Sequence, residues 1–245
     1  MRKKLPVLLP LLAFLSFSLS AQVTLSGTNH IENFDALSGG LPAGFTVSTA
    51  ASGTAPGNAA TLNTSAISWS ATTGQFANYA SGNIGAGAST AAQAAATDRA
   101  LGVRQTGSFG DPGAAFVFQV ANTSGRNSFV LDFKLQSLDV ASTRTVTWRV
   151  DYAFGASPAS FTNVAATGSV TTGATTFSNN SVHVDFGNAL DNQSDIVTIR
   201  IVTVTATTGS GNRPTSAIDD FALAWVNDGG PATPTVTIST NSLAF

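Results

Sequence analysis

The strongest pattern in this sequence is 129-FVLDFKLQ-136, in which two sets of side chains alternate residue by residue. One set is wholly apolar and occupies every second position: Phe129, Leu131, Phe133 and Leu135. The other set is largely polar. Because successive side chains of a strand point to opposite faces, this alternation predicts a half-buried antiparallel β-strand.

Further strand patterns surround this one. In 145-TVTWRVDYA-153, the residues Val146, Trp148 and Val150 share one face. We also predict strands, some of them weak, within residues 28–37, 41–47, 66–70, 75–79, 114–121, 182–186, 196–206 and 216–225. Residues 50–66 and 80–97 have the composition of long loops, although the alanines of 90–100 favour a helical turn or two. Strands at intervals of ten to twenty residues, without amphipathic helices between them, predict an all-β fold of two packed sheets.

The closing strand, 216-SAIDDFALAW-225, begins with two adjacent aspartates. Read with a period of two, Asp219 shares its face with Phe221, Leu223 and Trp225, whereas Asp220 lies on the other face. An ionised carboxylate on a buried face costs several kcal/mol unless it has partners. We therefore expect Asp219 to have a specific partner.

The N-terminus has the features of a secretory signal peptide over residues 1–21. A basic segment, Arg2–Lys4, precedes an apolar run of about 15 residues, and small residues end at Ala21 before Gln22. The run is short for a membrane span. We expect an exported protein that is secreted or held at the cell surface, with no transmembrane segment in the mature chain.

Composition narrows the class further. Removing the three basic residues of the predicted signal peptide lowers 11 Lys and Arg to eight, against 13 Asp and Glu, a net charge of −5. A nucleic-acid partner would require a basic patch, so we expect none for this domain. The chain has no cysteine, so its stability must come from its core or from bound ions, and a bacterial source is favoured.

The composition of the sequence changes after Trp225. Residues 227–234 are rich in Gly and Pro and are typical of a linker. Residues 235–245 begin a new strand pattern that the chain does not complete. We interpret these residues as the truncated start of a second, immunoglobulin-like module, after one β domain over residues 28–226.

Several short motifs occur in order: ENFD at 32–35, LPAGF at 41–45, DRALG at 98–102 and AIDDFAL at 217–223. This set resembles a group of secreted bacterial jelly-roll domains found near the N-terminus of multidomain surface or exported proteins. The closing AIDDF strand is also similar to those of MAM and other concanavalin-like or galactose-binding-like sandwiches. The resemblance implies a jelly-roll fold and an extracellular setting, but no single activity.

In jelly rolls the first and last strands lie side by side, which would bring Glu32 and Asp35 near Asp219 and Asp220. Three kinds of partner could then satisfy Asp219. Arg99 could form a bidentate ion pair with it. A structural calcium ion could be held by Glu32, Asp35, Asp219 and Asp220. Backbone amides of a neighbouring turn could cap it. All three alternatives are structural, and none is catalytic.

The sequence offers little catalytic chemistry. His30 and His183 are the only histidines, and both are expected to be solvent-facing strand residues. The chain lacks HExxH, clustered histidines and cysteines, which argues against zinc chemistry. It also lacks the G-x-S-x-G elbow of serine hydrolases. We therefore predict that this protein is not an enzyme.

Binding is the stronger hypothesis. Sugar-binding sandwiches stack exposed aromatic side chains on pyranose rings and orient the hydroxyls with polar groups. Trp148 and Trp225 are expected in the core, so the candidate aromatic platform is Trp69, Phe76 and Tyr79, although the core is an alternative place for these residues too. Asn212 and Arg213 could line the rim of a site or be solvated.

We thus expect a non-catalytic extracellular interaction module that binds a glycan or a surface protein. The alternatives are a structural spacer or adhesin domain, or an accessory domain of an exported hydrolase or nuclease whose catalytic part lies beyond residue 245.

Overall fold

The computed structural model describes residues 22–229 of the chain. The predicted signal peptide and the predicted start of a second module lie outside the described residues, as does most of the predicted linker.

The described residues fold mainly into β-strands, as the alternating patterns predict. Sixteen strands follow in chain order: β1 (Asn29–Glu32), β2 (Phe45–Thr49), β3 (Asn58–Ala60), β4 (Leu62–Ile67), β5 (Gln75–Ala80), β6 (Arg99–Arg104), β7 (Ala115–Val120), β8 (Arg126–Ser137), β9 (Thr145–Thr147), β10 (Arg149–Phe154), β11 (Thr162–Val164), β12 (Ala166–Thr167), β13 (Thr171–Gly173), β14 (Ser178–Asp185), β15 (Val197–Val202) and β16 (Thr215–Asn227). The helical segments are short: two 3₁₀ turns (Leu37–Gly39 and Gly82–Ile84) and one helix, α1 (Thr90–Ala95).

The strands form two main sheets. The larger sheet has the order β12-β14-β8-β16-β6-β5-β4, and β1 pairs with the part of β16 that β6 leaves free. The smaller sheet has the order β11-β10-β15-β7-β2-β3, and β9 and β13 form a separate ribbon. Strands β4 and β5 are parallel, and the other pairs are antiparallel. The chain is therefore all-β, with its two sheets packed as a sandwich.

The main core lies between the two sheets. It contains the predicted apolar face of β8, and Phe116, Phe118 and Trp148 from the opposite side. Trp148 stacks on Phe116 with 5.3 Å between ring centroids, and its indole Nε1 donates to Thr172 Oγ1 at 3.1 Å. The indole thus fills the core while its one polar atom is satisfied. Trp148 and Trp225 are both buried, as expected from their strand faces.

The first strand lies beside the last one, as the jelly-roll resemblance implies. Strand β1 runs antiparallel to β16, with Glu32 opposite Phe221 and His30 opposite Leu223. Residues directly opposite each other in an antiparallel pair share a face. The side chains of His30 and Glu32 therefore lie on the inner face of the large sheet, with Phe221 and Leu223.

The outer face of the large sheet carries a second, smaller core, which we call the outer cluster. Its buried members are Trp69, Ala77, Tyr79, Ala80, Ala100, Leu138 and Ala217. Ile84, Ala88 and Ala96, from the segment between β5 and β6, pack against these residues. The connection between β5 and β6 lies largely within residues 80–97, which the sequence indicated as a long loop with a helical turn, and it covers part of a sheet face that would otherwise be exposed.

Within the described residues, no helix is long and apolar enough to cross a membrane.

Candidate functional site

A cavity of about 530 Å³ lies beside Asp35, where the first 3₁₀ turn and α1 approach strands β4, β5 and β6. We call it the Asp35 cavity. Most of its lining side chains can form hydrogen bonds: Asp35, Ser38, Thr64, Ser65, Asn78, Thr97 and Arg99. Three alanines complete the lining: Ala66, Ala94 and Ala96. The cavity is therefore suited to a polar ligand.

A tight turn after β1 places Asp35 at this cavity. Phe34 has a positive φ of 57° and buries its ring in the core, where it meets Phe45 edge-on. The turn is held by side chains, because Glu32 Oε1 accepts from Phe34 N at 2.8 Å and Asn33 Oδ1 accepts from Asp35 N at 3.2 Å. Asp35 itself stays exposed. The ENFD motif thus fixes a solvent-accessible carboxylate beside the cavity.

The carboxylate of Asp35 is oriented by two donors. Its Oδ1 accepts from the main-chain N of Arg99 at 2.9 Å, and its Oδ2 accepts from Asn33 Nδ2 at 2.7 Å. A carboxylate oxygen has two lone-pair sites. Each oxygen of Asp35 therefore retains an acceptor site for a ligand hydroxyl.

Arg99 forms the buried side of the cavity and is only 4% exposed. Its Nε donates to Asn78 Oδ1 at 2.6 Å and its Nη2 to the main-chain O of Asn78 at 2.8 Å. Its Nη1 donates to the carbonyl oxygens of Gln93 and Ala96 at the end of α1. The guanidinium therefore ties α1 to β5 and fixes the cavity wall.

The electrostatics of Arg99 reflect this burial. Desolvation lowers the pKa of the guanidinium below its ordinary value, while the negative charges of Asp35 and Asp98 act in the opposite direction. Arginine nevertheless stays protonated in proteins. The cavity therefore combines a fixed buried cation with an exposed carboxylate.

Asn78 connects the two sides of the cavity. Its Oδ1 accepts from Arg99, and its Nδ2 donates to the main-chain O of Thr64 on the neighbouring strand at 2.9 Å. With both ends of its amide bonded, the side chain is held in one orientation. No motif or periodicity marks Asn78, Ser38, Thr64 or Thr97 in the sequence, so these lining residues were not predicted.

Arg99 and Asp219 do not form the predicted ion pair, because they lie on opposite faces of the large sheet. Arg99 alternates with Leu101 and Val103, which point into the main core. Asp219 lies opposite Lys134 and follows Ile218, which is in the main core. The side chain of Asp219 therefore points to the outer face, and the two charges have separate sets of partners.

A β-bulge explains why the period-of-two pattern misplaced Asp219. Asp219 lies opposite Lys134 but Ala222 lies opposite Asp132, so β16 has one more residue than β8 between these pairs. The extra residue adopts a positive φ of 47° at Asp220, which is exposed. Such a bulge changes which face the following residues occupy. Phe221, Leu223 and Trp225 consequently face the main core, whereas Asp219 does not.

Asp219 is 1% exposed and is held by neutral donors. Its Oδ2 accepts from Ser81 Oγ at 2.6 Å and from Gln136 Nε2 at 3.3 Å, and its Oδ1 accepts from Asp220 N at 2.8 Å. The bond from the main-chain amide of Asp220 corresponds to the third alternative, in which backbone amides cap the Asp219 carboxylate. Burial raises the pKa of Asp219 to about 7, although the bonds from Ser81 and Asp220 oppose the rise.

The four carboxylates of the predicted calcium site are dispersed. Glu32 lies on the inner face and its burial raises its pKa, and Asp219 lies on the outer face. Asp35 is beside the cavity, and Asp220 is exposed at the bulge. In residues 22–229 no three His, Cys, Asp or Glu side chains gather as metal ligands would. The bulge after Asp219 places it on the opposite face from Phe221 and therefore from Glu32, which lies opposite Phe221.

The three aromatic residues of the predicted sugar platform are buried: Trp69 is 4% exposed, and Phe76 and Tyr79 are both 0% exposed. Trp69 and Tyr79 belong to the outer cluster, whereas Phe76 is in the main core. Trp69 Nε1 donates to the main-chain O of Ala80 at 2.8 Å, and burial raises the pKa of Tyr79 to about 12. These side chains stabilise the fold and do not present an exposed surface.

The remaining candidates lie elsewhere. Arg213 pairs with Asp111, and with Asn212 it lines a separate cavity of about 120 Å³. His183 is exposed, as expected, and its Nδ1 is 2.8 Å from Asp132 Oδ1. His30 differs from the expectation, because it is half-buried and stacks on Phe118, and this burial lowers its pKa.

Neither the protein-family models nor the curated proteins contain a match to this chain. The resemblance to secreted jelly-roll domains therefore stays a prediction from short motifs.

Proposed function

We propose that this protein is a non-catalytic, exported interaction module of jelly-roll type that binds a carbohydrate in the Asp35 cavity. The observation that carries the proposal is the lining of the cavity, which joins a fixed carboxylate to an amide, several hydroxyls and a guanidinium. Carbohydrate sites orient their ligands with such groups, because each sugar hydroxyl both donates and accepts hydrogen bonds.

The position of Asp35 supports a role in binding. Its carboxylate is exposed, yet the turn from Glu32 and the bond from the Arg99 amide hold it in place. A preorganised group loses little conformational entropy when a ligand binds. We therefore assign Asp35 as the main acceptor for ligand hydroxyls.

Binding without hydrolysis is the simpler role for this cavity. Glycosidases use two carboxyl groups that flank the scissile bond. Of the residues that line the cavity, only Asp35 carries a carboxylate. The burial of Trp69, Phe76 and Tyr79 also means that ring stacking by these residues is not part of the proposal.

Isothermal titration calorimetry on an oligosaccharide panel, preselected with a glycan array, tests this function. We expect Asp35→Asn to weaken binding by about tenfold, because a hydrogen bond to a charged acceptor is worth roughly 1.5–3 kcal/mol. The matched control is Asp185→Asn, since Asp185 is also an exposed carboxylate that caps a turn, through Gly187 N at 2.7 Å, and it does not line the cavity. The absence of any glycan ligand, or equal losses in both variants, would refute the proposal.

A further inference from the structure

Arg99 differs from the other arginines of the interior. Within residues 22–229, three arginines are buried: Arg99, Arg104 and Arg200. Arg104 pairs with Asp139, and Arg200 forms a two-pronged pair with Asp151 at 2.8 and 2.9 Å. Among the described residues, no carboxylate oxygen lies within 4.0 Å of the Arg99 guanidinium. Arg99 is therefore a buried cation without an anionic partner.

The acceptors around Arg99 are neutral. They are the side-chain and main-chain oxygens of Asn78 and two carbonyl oxygens from the end of α1. Nη2 carries two hydrogens but has one recorded acceptor among the described residues, the main-chain O of Asn78. Asp35 and Asp98 are the acidic residues whose charges act on Arg99, yet Asp35 Oδ1 accepts from the main-chain N of Arg99 and not from the guanidinium.

Burying an unpaired charge is costly, and natural interiors pair almost all buried cations. The charges of Asp35 and Asp98 act on the Arg99 guanidinium without contacting it, so a ligand carboxylate in the open polar cavity could supply the direct partner. The remaining N–H of Nη2 can donate one charge-assisted hydrogen bond to a ligand carboxylate, and such bonds are stronger than those between neutral groups.

We propose that the Asp35 cavity binds an acidic glycan, whose uronate carboxylate pairs with Arg99 while a hydroxyl of the sugar donates to Asp35. This inference rests on the proposed carbohydrate function and adds the class of sugar. With about 530 Å³, the cavity has room for a sugar ring that reaches both groups. The opposite charges of Arg99 and Asp35 also impose one orientation on the ring.

The decisive experiment changes the ligand and leaves the protein intact. Oligogalacturonates and oligoalginates are titrated calorimetrically into the purified protein, each as the free acid and as the carboxyl methyl ester, beside neutral cello- and manno-oligosaccharides. We expect at least tenfold tighter binding of one free acid than of its ester, with the difference shrinking as salt is raised from 50 to 300 mM.

The outcomes separate the inference from the function on which it rests. Equal affinity for acid and ester, or tighter binding of a neutral glycan than of every acidic one, overturns the acidic preference and leaves the carbohydrate function standing. No binding of any glycan, on this panel or on the array, overturns both.

Variants of Arg99 provide a second test. Arg99→Lys keeps a positive charge but loses the planar guanidinium that Asn78 and the end of α1 hold in place, and Arg99→Gln removes the charge. We expect progressively smaller ratios of acid to ester affinity in these two variants. Arg144→Gln is the matched control, because Arg144 also donates to neutral oxygens, those of Gly211 and Thr207, and does not line the cavity. An unchanged ratio in a folded Arg99→Gln protein contradicts the inference, and if that variant is unfolded, the ester comparison decides.

Discussion

The side-chain oxygens of Ser81 and Asp219 lie 2.6 Å apart beneath the segment that covers the outer face of the large sheet. Ser81 directly follows β5 and is the first residue of that covering segment, which connects β5 to β6. Its Oγ also accepts from Asn83 N at 3.2 Å. One buried carboxylate therefore holds the beginning of the segment that later forms a wall of the Asp35 cavity. No cationic nitrogen lies within 4.0 Å of Asp219 in the described part of the chain.

This environment predicts a specific dependence of stability on pH. Burial raises the pKa of Asp219 in the folded state to about 7, from an ordinary value of 3.8. The folded protein therefore binds this proton more tightly than the unfolded chain. The contribution of Asp219 to stability is fully present below about pH 4 and is lost as the pH rises to about 7, a change of about 4 kcal/mol.

Urea unfolding at several pH values from 5 to 8 measures this effect. We expect the free energy of unfolding of the wild type to fall over this range, and that of Asp219→Asn to vary much less, because an asparagine does not titrate. Asp185→Asn serves as the control and should keep the slope of the wild type. A wild-type slope in Asp219→Asn would show that Asp219 is not the titrating group.

Replacing Trp69 should damage the fold as a whole and not a ligand site alone. The indole is buried in the outer cluster and its Nε1 donates to the main-chain O of Ala80, while the main-chain N of Trp69 donates to Gln93 Oε1 at 2.9 Å. Loss of a buried tryptophan side chain typically costs about 3–5 kcal/mol. We expect Trp69→Ala to lower the free energy of unfolding by this amount in chemical denaturation. A fully stable Trp69→Ala protein that has lost glycan binding would instead favour the aromatic platform.

Calcium should have little effect on stability. The carboxylates of Glu32, Asp35 and Asp219 lie on different faces or edges of the large sheet, too dispersed to supply the six to eight oxygens of a calcium site together. We expect the same melting temperature after chelation of Ca²⁺ and after addition of about 5 mM Ca²⁺. That concentration is high enough to fill the calcium sites of typical extracellular modules. A rise of several degrees with Ca²⁺, and none with Mg²⁺, would contradict this arrangement.

Gly102 is expected to tolerate no side chain. A Cβ at this position would lie 2.5 Å from Tyr79 Cδ2 and 3.1 Å from Ala217 Cβ, in the closely packed outer cluster. We expect Gly102→Ala to destabilise the protein by about 1–3 kcal/mol through overpacking. Gly87→Ala, where a Cβ meets nothing within 4 Å, is the control and should be close to neutral in thermal unfolding. Equal melting temperatures for the two variants would contradict this prediction and show that the Tyr79 ring can move away from the added methyl group at little cost in stability.

Simple alternation predicted the strands that have one face in the main core and the other in a more polar setting, such as β8 and β10. It failed for β6, 99-RALGVR-104, because all six residues are buried and no polar face marks the strand. The outer cluster is the physical reason, since it covers the face that solvent would otherwise reach. The same cover explains why Trp69 and Tyr79 lie in a core, the place that the sequence also allowed for them, and not on an exposed platform.

The candidate site was only partly visible in the sequence. The ENFD and DRALG motifs pointed to Asp35 and Arg99, and both residues line the cavity. Their expected partner, Asp219, faces the other side because of one inserted residue, which no hydrophobic pattern reveals. Ser38, Thr64 and Asn78 come from separate segments and meet only through the pairing of β4 with β5 and the turn after β1. Their convergence is a property of the tertiary fold.

The bulge at Asp220 makes the length of the last strand as important as its composition. Removing one residue there would make the ladder continuous and exchange inside for outside over everything that follows, so Phe221, Leu223 and Trp225 would point to water. Substitutions at Asp220 that accept a left-handed backbone leave this arrangement intact. A single deletion at that position would therefore turn the second half of the strand over. The number of residues at Asp219 and Asp220 decides which sheet face each later residue of β16 occupies.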